Sequence, residues 1–387
     1  MNPFVFHSPT QVSFGESLSS TAADVLREYG GKKPLVITDE FLYKSGMLDS
    51  ILTEVRYVTG EAPHVFYDVP PDSEIATVNK AAVQAREFGC DSFIAVGGGS
   101  VLDTTKVVNI CVSLGGELLQ YQGLNNIIDR LKPMLAIPTT AGTGSEVTMV
   151  AMVKDAAESK KMLFGSRFLA PDVAILDPTL ILSLPPKLTA ATGLDAITHC
   201  IESYSSILSS SPITEGLCLE ALRLLFKYIP IATAHGDDME ARSATLVAST
   251  MAGVAFTNSG VGIVHALAHS TGARYNTHHG ATNAVFLPHC MRFNEGVVTD
   301  RFACIARFLG LSDSRNDDTA SRALIDAIEK LSASVGLPPR LRDLGVPSFT
   351  VEVLEELAEA SICDPAIMFN PRDSTKEEII SLYQSAY

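Results

Sequence analysis

Two short stretches carry the side chains best suited to chemistry. They are Gly193-Leu194-Asp195-Ala196-Ile197-Thr198-His199, and Val264-His265 through His278-His279-Gly280. In the first, Leu194, Ile197, Ile201 and Tyr204 recur at i, i+3, i+7 and i+10, the apolar stripe of a helix. Asp195 and His199 are four apart, so they share a helical face with Cβ atoms roughly 5–6 Å apart. His265 and His269 repeat that spacing among Ile263, Val264 and Leu267, and His279 follows beyond a Gly-Ala-Arg-Tyr-Asn break that should end the helix. One carboxylate and three or four imidazoles can thus converge on a divalent cation, a hard-to-borderline donor set suited to Fe(II) or Zn(II). Each pair alone has a plainer explanation, a hydrogen-bonded Asp–His couple or satisfied core histidines. The two together favour metal, and so does the density of imidazoles: five of the nine His lie between 265 and 289. A cation so held acts as a Lewis acid and lowers the pKa of ligated water from ~15.7 to about 7 in good cases, and an alcohol would be acidified likewise.

These side chains need scaffolds, and the chain offers two kinds. Its first half alternates β-rich and helical runs. Pro34–Thr38, His64–Tyr67, Ser92–Val96 and Met134–Ile137 read as strands, with helical patterns at about 19–29, from Ile75 to Phe88 and from Val101. Such repetition implies parallel β-α-β units and a Rossmann-like sheet. Beyond Pro185-Pro186 almost only helical periodicity remains, at 187–204, 213–228, 240–257, 261–271, 297–308, 318–335, 351–361 and 375–386. The expected fold is therefore α/β plus all-α: a dinucleotide-binding domain over 1–184 and an all-helical, metal-binding domain over 185–387. A length of 387 residues agrees with two domains, and 46% hydrophobic with 19% charged residues describes a globular chain. The formal net charge of −15 argues against nucleic acid or an anionic membrane as partner. No apolar run reaches the ~18 residues of a membrane span, and the N-terminus has no signal-peptide pattern. Seven scattered Cys without a C-x-x-C pair suit reduced thiols, so a cytoplasmic location is expected.

Gly97-Gly98-Gly99-Ser100 stands where a strand hands over to a helix. There, bare backbone N–H groups and the helix dipole can receive a pyrophosphate. The strict G-x-G-x-x-G pattern is absent, since Leu102 stands at its third Gly, and a tight turn is the plainer alternative. Pro138-Thr139-Thr140-Ala141-Gly142-Thr143-Gly144-Ser145 forms a second polar loop at a strand end, as a nucleotide crevice needs. Asp39, directly after the strand 35–38, can accept hydrogen bonds from an adenosine ribose and repel a 2′-phosphate; helix N-capping is equally compatible with its position. Asp103 and Lys106, one turn apart, read as a surface ion pair, and Lys161 as a solvated charge.

With these motifs in view, the chain resembles the iron-containing, or group III, alcohol dehydrogenases over essentially its whole length. The resemblance rests on Gly97–Ser100 with Asp103 and Lys106, on the run 137–148, on Ala191–His199, on Gly262–His269, on His279-Gly280 and on Leu287-Pro288-His289. It implies metal ligation by Asp195, His199, His265 and His279. It implies cofactor contacts from Gly97, Gly98, Gly99, Ser100, Thr139, Thr140 and Thr143, from Lys161 (against its reading as a solvated charge) and, more weakly, from Leu180. Asp39 matches the position that favours NAD over NADP, Phe256 an apolar residue near the substrate, and His269 a site-facing histidine that does not bind metal. The family's His-Gly pair selects His279 over His278 as the ligand. Departures lie at Ser270-Thr271-Gly272, at His278 and at Val69-Pro70-Pro71-Asp72; none touches the ligand set.

The expected activity is reversible hydride transfer between a small primary alcohol and NAD⁺, on an Fe(2+) or Zn(2+) site, in a homo-oligomer, most simply a dimer. His269 is the candidate catalytic residue, relaying the alcohol proton to solvent, with support of the metal site as its alternative role. Glu202, one turn beyond His199, can orient that imidazole, but a surface or N–H-bonded role is the plainer reading. A rival activity is that of a dehydroquinate-synthase-like or glycerol-dehydrogenase-like enzyme using zinc and NAD. The first would need basic residues near the metal, and only Arg274 qualifies.

Overall fold

The structure is a computed structural model that describes residues 3–156 and 160–387. It divides into two compact units, His7–Ser183 and Leu184–Tyr387, the second joined by the N-terminal residues up to Phe6.

In the first unit the chain runs β1 (Gln11–Phe14), α1 (Ala22–Glu28), β2 (Pro34–Ile37), α2 (Glu40–Lys44), α3 (Asp49–Thr59), β3 (His64–Phe66), α4 (Ile75–Phe88) and β4 (Ser92–Gly97). It continues through α5 (Gly99–Leu114), β5 (Gly123–Leu124), β6 (Met134–Pro138), β7 (Val150–Asp155), β8 (Lys160–Gly165) and β9 (Val173–Leu176). Six strands form a parallel sheet in the order β1-β9-β6-β4-β2-β3. Every residue of β2, β4, β6 and β9 is buried, as a parallel sheet covered on both faces requires. That burial explains why these segments read as continuous apolar runs rather than alternating ones. From β2 the chain builds outward to β3, then crosses back to β4 and builds the other way through β6 and β9. The direction therefore reverses between β2 and β4, and ligands of open α/β sheets bind beyond the strand ends at such a switch. Asp39 follows β2 there and Gly98 follows β4.

Strands β1, β5, β7, β8 and β9 and helices α2, α3 and α10 (His279–Asn294) lie outside the strand and helix reading of the sequence. Edge strand β1 is mostly exposed, in the pattern e-e-i-e, and carries no alternation to announce it. Strand β9 enters beside β6 after an antiparallel pair, β7–β8, whose register sets Val150 against Gly165 and Asp155 against Lys160. That pair, with the two-residue β5, makes a second, three-stranded sheet.

The second unit is helical: α6 (Pro186–Ser205), α7 (Pro212–Ala234), α8 (Met239–Ser259), α9 (Ile263–Tyr275), α10 (His279–Asn294), α11 (Thr299–Phe308), α12 (Asp317–Ser334), α13 (Val351–Ile362) and α14 (Lys376–Ala386). The organising element is α6, in which every residue from Thr189 to Ser205 is buried. A helix buried all round is a central one, and α6 packs against α7, α8 and α10. Leu194, Ile197, Ile201 and Tyr204 join Leu222, Leu225 and others in one continuous core. Local signals set the ends. Ser211 and Thr214 form a reciprocal capping box with Pro212 at the first position of α7, and Asn276 takes the left-handed conformation (φ 53°) that closes α9. Among the described residues no single helix is long and apolar enough to cross a membrane.

Candidate metal centre and nucleotide loops

In the helical unit the metal candidates come from three helices. Asp195 and His199 project from α6, His265 and His269 from α9, and His279 opens α10. The donor atoms of Asp195, His265 and His279 all lie within 4.8 Å of one another, with Asp195 Oδ1 3.6 Å from His279 Nε2. Asp195 and His265 are buried, and His279 is the exposed member at 30% of its side-chain surface. His199 flanks this trio with its ring stacked on that of His265, centroids 4.7 Å apart, and on that of Phe256 at 4.3 Å. The structure thus gathers three of the four ligand candidates tightly and sets the fourth ring against them. His278 is set apart in role: it stands at the N-cap of α10, where its Nδ1 accepts from the Ala281 N–H at 3.4 Å.

The shape of the trio tests whether a cation suits it. The Asn283 amide, one turn along α10 from His279, sits among the donors. Its Nδ2 is 2.7 Å from Asp195 Oδ1 and 3.2 Å from both His265 Nε2 and His279 Nε2. Three ligand-type atoms within reach of one amide nitrogen face a common point. The amide's own Oδ1 is buried without a hydrogen-bond partner among the described residues, an arrangement that costs free energy and signals an incomplete polar site. A carboxylate oxygen and imidazole nitrogens turned toward one point fit a divalent cation.

The surrounding carboxylates organise the imidazoles. Glu202 Oε2 lies 2.5 Å from His265 Nδ1, and Asp364 Oδ2 lies 2.9 Å from His269 Nδ1. Burial opposes charging the His265 imidazole, but Glu202 and then Asp195 outweigh it, so its pKa lies above the ordinary value. Burial likewise works to raise the Asp364 carboxyl, yet the His269 imidazole beside it leaves it below the usual range. The His269 ring stacks on His279 with centroids 5.3 Å apart and planes 13° from parallel. Glu202 is therefore the partner of His265, where sequence spacing had offered it to His199. Asp364 and Asn283 escaped the sequence reading. Asp364 is 95 residues from His269 and gives no local sign of that role. Asn283 does leave one: a polar side chain one turn after His279, on a helix whose next residues are Ala284, Val285, Phe286 and Leu287.

In the α/β unit the two polar loops meet. Gly98 is the N-cap of α5. A Cβ there would stand 3.2 Å from Thr140 Cγ2, and one at Gly99 would stand 2.7 Å from Thr143 Cγ2. The glycines are thus what lets the loop after β6 lie against the start of α5. The Thr139 N–H also donates to the Gly97 carbonyl at 3.0 Å. Ser100 Oγ accepts from the Asp72 N–H at 3.0 Å, and the Asp72 carboxylate pairs with Lys161 Nζ at 2.8 Å. Lys161, with 16% of its side chain exposed, is far from a solvated charge. Asp39 caps α2, its Oδ1 accepting from the Leu42 N–H at 2.9 Å. Leu180 is buried in the core that also holds Val96 and Ile137, near the ends of β4 and β6. Asp103 and Lys106 are not a surface pair. Lys106 is fully buried and donates to Thr148 O, Thr148 Oγ1 and Val150 O, each at 2.9 Å. Asp103 accepts from Ser145 Oγ and the Met152 N–H. Together they stitch α5 to the segment leading into β7. Burial pushes the Lys106 ammonium down to about 8, with Asp103 and Glu146 opposing.

Comparison with known proteins agrees with this architecture. The model of the iron-containing alcohol dehydrogenase family matches residues 9–178, and that family's C-terminal model matches residues 189–387. The chain belongs to the iron-containing alcohol dehydrogenase family, and it is an oxidoreductase. It is 35% identical over 383 residues to the NAD-dependent methanol dehydrogenase of Bacillus methanolicus, covering 98% of this chain and 99% of that one. To the 1,3-propanediol dehydrogenase of Citrobacter freundii it is 36% identical over 387 residues, covering 99% of each. A crystal structure of a 1,3-propanediol oxidoreductase superposes over the whole of both chains with a TM-score of 0.94 at 35% identity.

Proposed function

We propose that the chain interconverts a small primary alcohol and its aldehyde with NAD⁺ and NADH, using Fe(2+), with Zn(2+) able to take the same site. The observation that carries the reading is the convergence of Asp195 Oδ1, His265 Nε2 and His279 Nε2 on the Asn283 amide. Asp195, His199, His265 and His279 hold the metal. Gly97, Gly98, Gly99, Ser100, Thr139, Thr140, Thr143, Lys161 and Leu180 receive the dinucleotide, with Asp39 on its adenosine ribose. The bound cation would supply Lewis-acid polarisation of the substrate oxygen, and the dinucleotide would supply the hydride acceptor or donor. The protein's side chains do the rest. Buried Asp195 and His265 hold their donors toward one point, and with only one carboxylate among the four ligands a bound divalent cation would keep net positive charge toward a developing alkoxide. Phe256, against His199, supplies an apolar wall for a short carbon chain. Asp364 engages Nδ1 of His269, which makes Nε2 the atom that takes the alcohol proton. The enzyme works in the cytoplasm as a dimer, which sizing in solution checks.

The rival cyclase chemistry finds no support, because Arg274 is committed elsewhere. Its guanidinium pairs with Glu356 at 2.6 Å on a side chain 39% exposed.

The test is direct. Protein purified without chelator contains close to one divalent metal per chain and forms NADH with short primary alcohols. Stripping with chelator abolishes turnover, and adding Fe(2+) or Zn(2+) restores it. Full turnover by the stripped protein refutes the reading.

The ribose assignment has its own test. Asp39→Gly should raise the use of NADP relative to NAD. Repulsion between a carboxylate and a 2′-phosphate amounts to about 1–4 kcal/mol near 4 Å, so the ratio of kcat/KM values should move by about fivefold or more. The lost cap on α2 costs only about a few tenths of a kcal/mol with Gly, so the protein stays folded. An unchanged ratio refutes the ribose role of Asp39.

A further inference from the structure

Glu202 is a buried carboxylate that belongs to neither the proposed ligand set nor the substrate pocket, yet both its oxygens are engaged. It lies on α6, one turn beyond His199. Its Oε1 accepts from the backbone N–H of Val264 at 2.7 Å, in the first turn of α9. Its Oε2 faces His265 Nδ1 at 2.5 Å on the same helix. The first contact satisfies an N–H that α9 cannot satisfy itself and places negative charge at the positive end of the helix. The second fixes which ring nitrogen of His265 carries hydrogen. A carboxylate accepts, so Nδ1 donates, and the lone pair is left on Nε2, the atom that faces Asn283 and Asp195. The backbone is shaped for this approach. A Cβ at Gly262 would stand 3.2 Å from Glu202 Oε1 and 3.0 Å from Asn370 Oδ1, and Asn370 Oδ1 also accepts from the Ile263 N–H at 3.4 Å.

We infer that Glu202 is a positioning residue of the metal centre: it clamps the start of α9 to α6 and holds His265 in the tautomer whose Nε2 can ligate. The inference rests on the reading of His265 as a ligand. It goes beyond that reading by placing the control of the ligand's tautomer in one carboxylate, 63 residues away in sequence.

Glu202→Gln separates the two contacts. The amide oxygen can still accept from Val264, so the helix cap survives. The amide NH₂ then faces Nδ1 and donates to it, which drives the hydrogen to Nε2 and blocks the ligating lone pair. Two measurements decide. In metal-free protein, at a pH high enough to keep the ring neutral, ¹⁵N NMR of the imidazoles should show His265 with hydrogen on Nδ1 in the parent and on Nε2 in Glu202→Gln. In competition with a chromogenic chelator, the variant should bind Zn(2+) about 10–100-fold more weakly than the parent, with NADH affinity unchanged. A parent His265 carrying hydrogen on Nε2 overturns the inference without any variant, and so does a Glu202→Gln protein with the parent's tautomer and the parent's Zn(2+) affinity. If the parent itself binds no divalent metal, the ligand reading fails; the tautomer measurement still decides the role of Glu202.

Discussion

His265→Ala abolishes metal retention and lowers turnover by ~10³ or more, while NADH binding stays close to that of the parent. The magnitude follows from what one side chain does. Stabilisation of a developing alkoxide by a bound cation is worth several kcal/mol, and each ~1.4 kcal/mol is a factor of ten in rate. His265 is the member of the trio whose loss nothing replaces. It is buried, it contacts the Asn283 amide that Asp195 and His279 share, and its ring stacks on that of His199. Removing it also strands Glu202 Oε2, a buried acceptor, at a cost of about 1–3 kcal/mol in stability. The helical core that bears this loss is separate from the cores around the parallel sheet, so NADH fluorescence titration serves as the control for folding. Metal analysis after gel filtration and steady-state rates check the prediction. A variant that keeps stoichiometric metal and parental turnover removes His265 from the ligand set.

What was legible in the sequence is what local geometry dictates. An i, i+4 spacing places two side chains on one helical face whatever the rest of the fold does, so Asp195 with His199, and His265 with His269, could be recognised before any tertiary contact was known. Buried parallel strands read as apolar runs, which makes β2, β4 and β6 legible; β9, just as buried, is a four-residue run that stands alone after an antiparallel pair and is not. Contacts that close over long sequence distances were not legible. Glu202 has His199 one turn away, yet it bonds Val264 and His265, because the end of α9 needs an acceptor that α6 supplies. Asp103 and Lys106 have the spacing of a surface ion pair. Only the chain around residues 145–152, packing over them, turns them into buried anchors. Lys161 is drawn inward by Asp72, 89 positions before it, across an ion pair that no periodicity encodes.

Gly280 shows how such a distant contact becomes a functional constraint, and Gly280→Ala should disable the centre without touching a ligand. A Cβ at this position would lie 2.3 Å from the carbonyl oxygen of Ala191, 2.9 Å from its carbon and 3.1 Å from Asp195 Cβ. Two of these neighbours are backbone of the central helix α6, so no rotamer change relieves the overlap. The first turn of α10 has to move away from α6 until the gap opens from 2.3 Å to beyond 3.0 Å. That turn carries His279 immediately before Gly280, and Asn283 three residues after it. A site holds its metal only while its donors stay within about 0.5 Å of their productive positions, so His279 leaves the trio. Overpacking of this kind costs about 1–3 kcal/mol, more than the fraction of ~1 kcal/mol that Ala gains over Gly near a helix end. The melting temperature falls, and Zn(2+) affinity drops by about 10² or more. Gly272→Ala is the matched control. It lies in α9 beside the same cluster, but its Cβ would meet only the Thr277 carbonyl at an ordinary 3.7 Å. There, intrinsic propensity decides the sign and stability rises by up to ~1 kcal/mol. A Gly280→Ala protein that melts and binds Zn(2+) like the parent would show that α10 and α6 are not held at the spacing on which the metal centre depends.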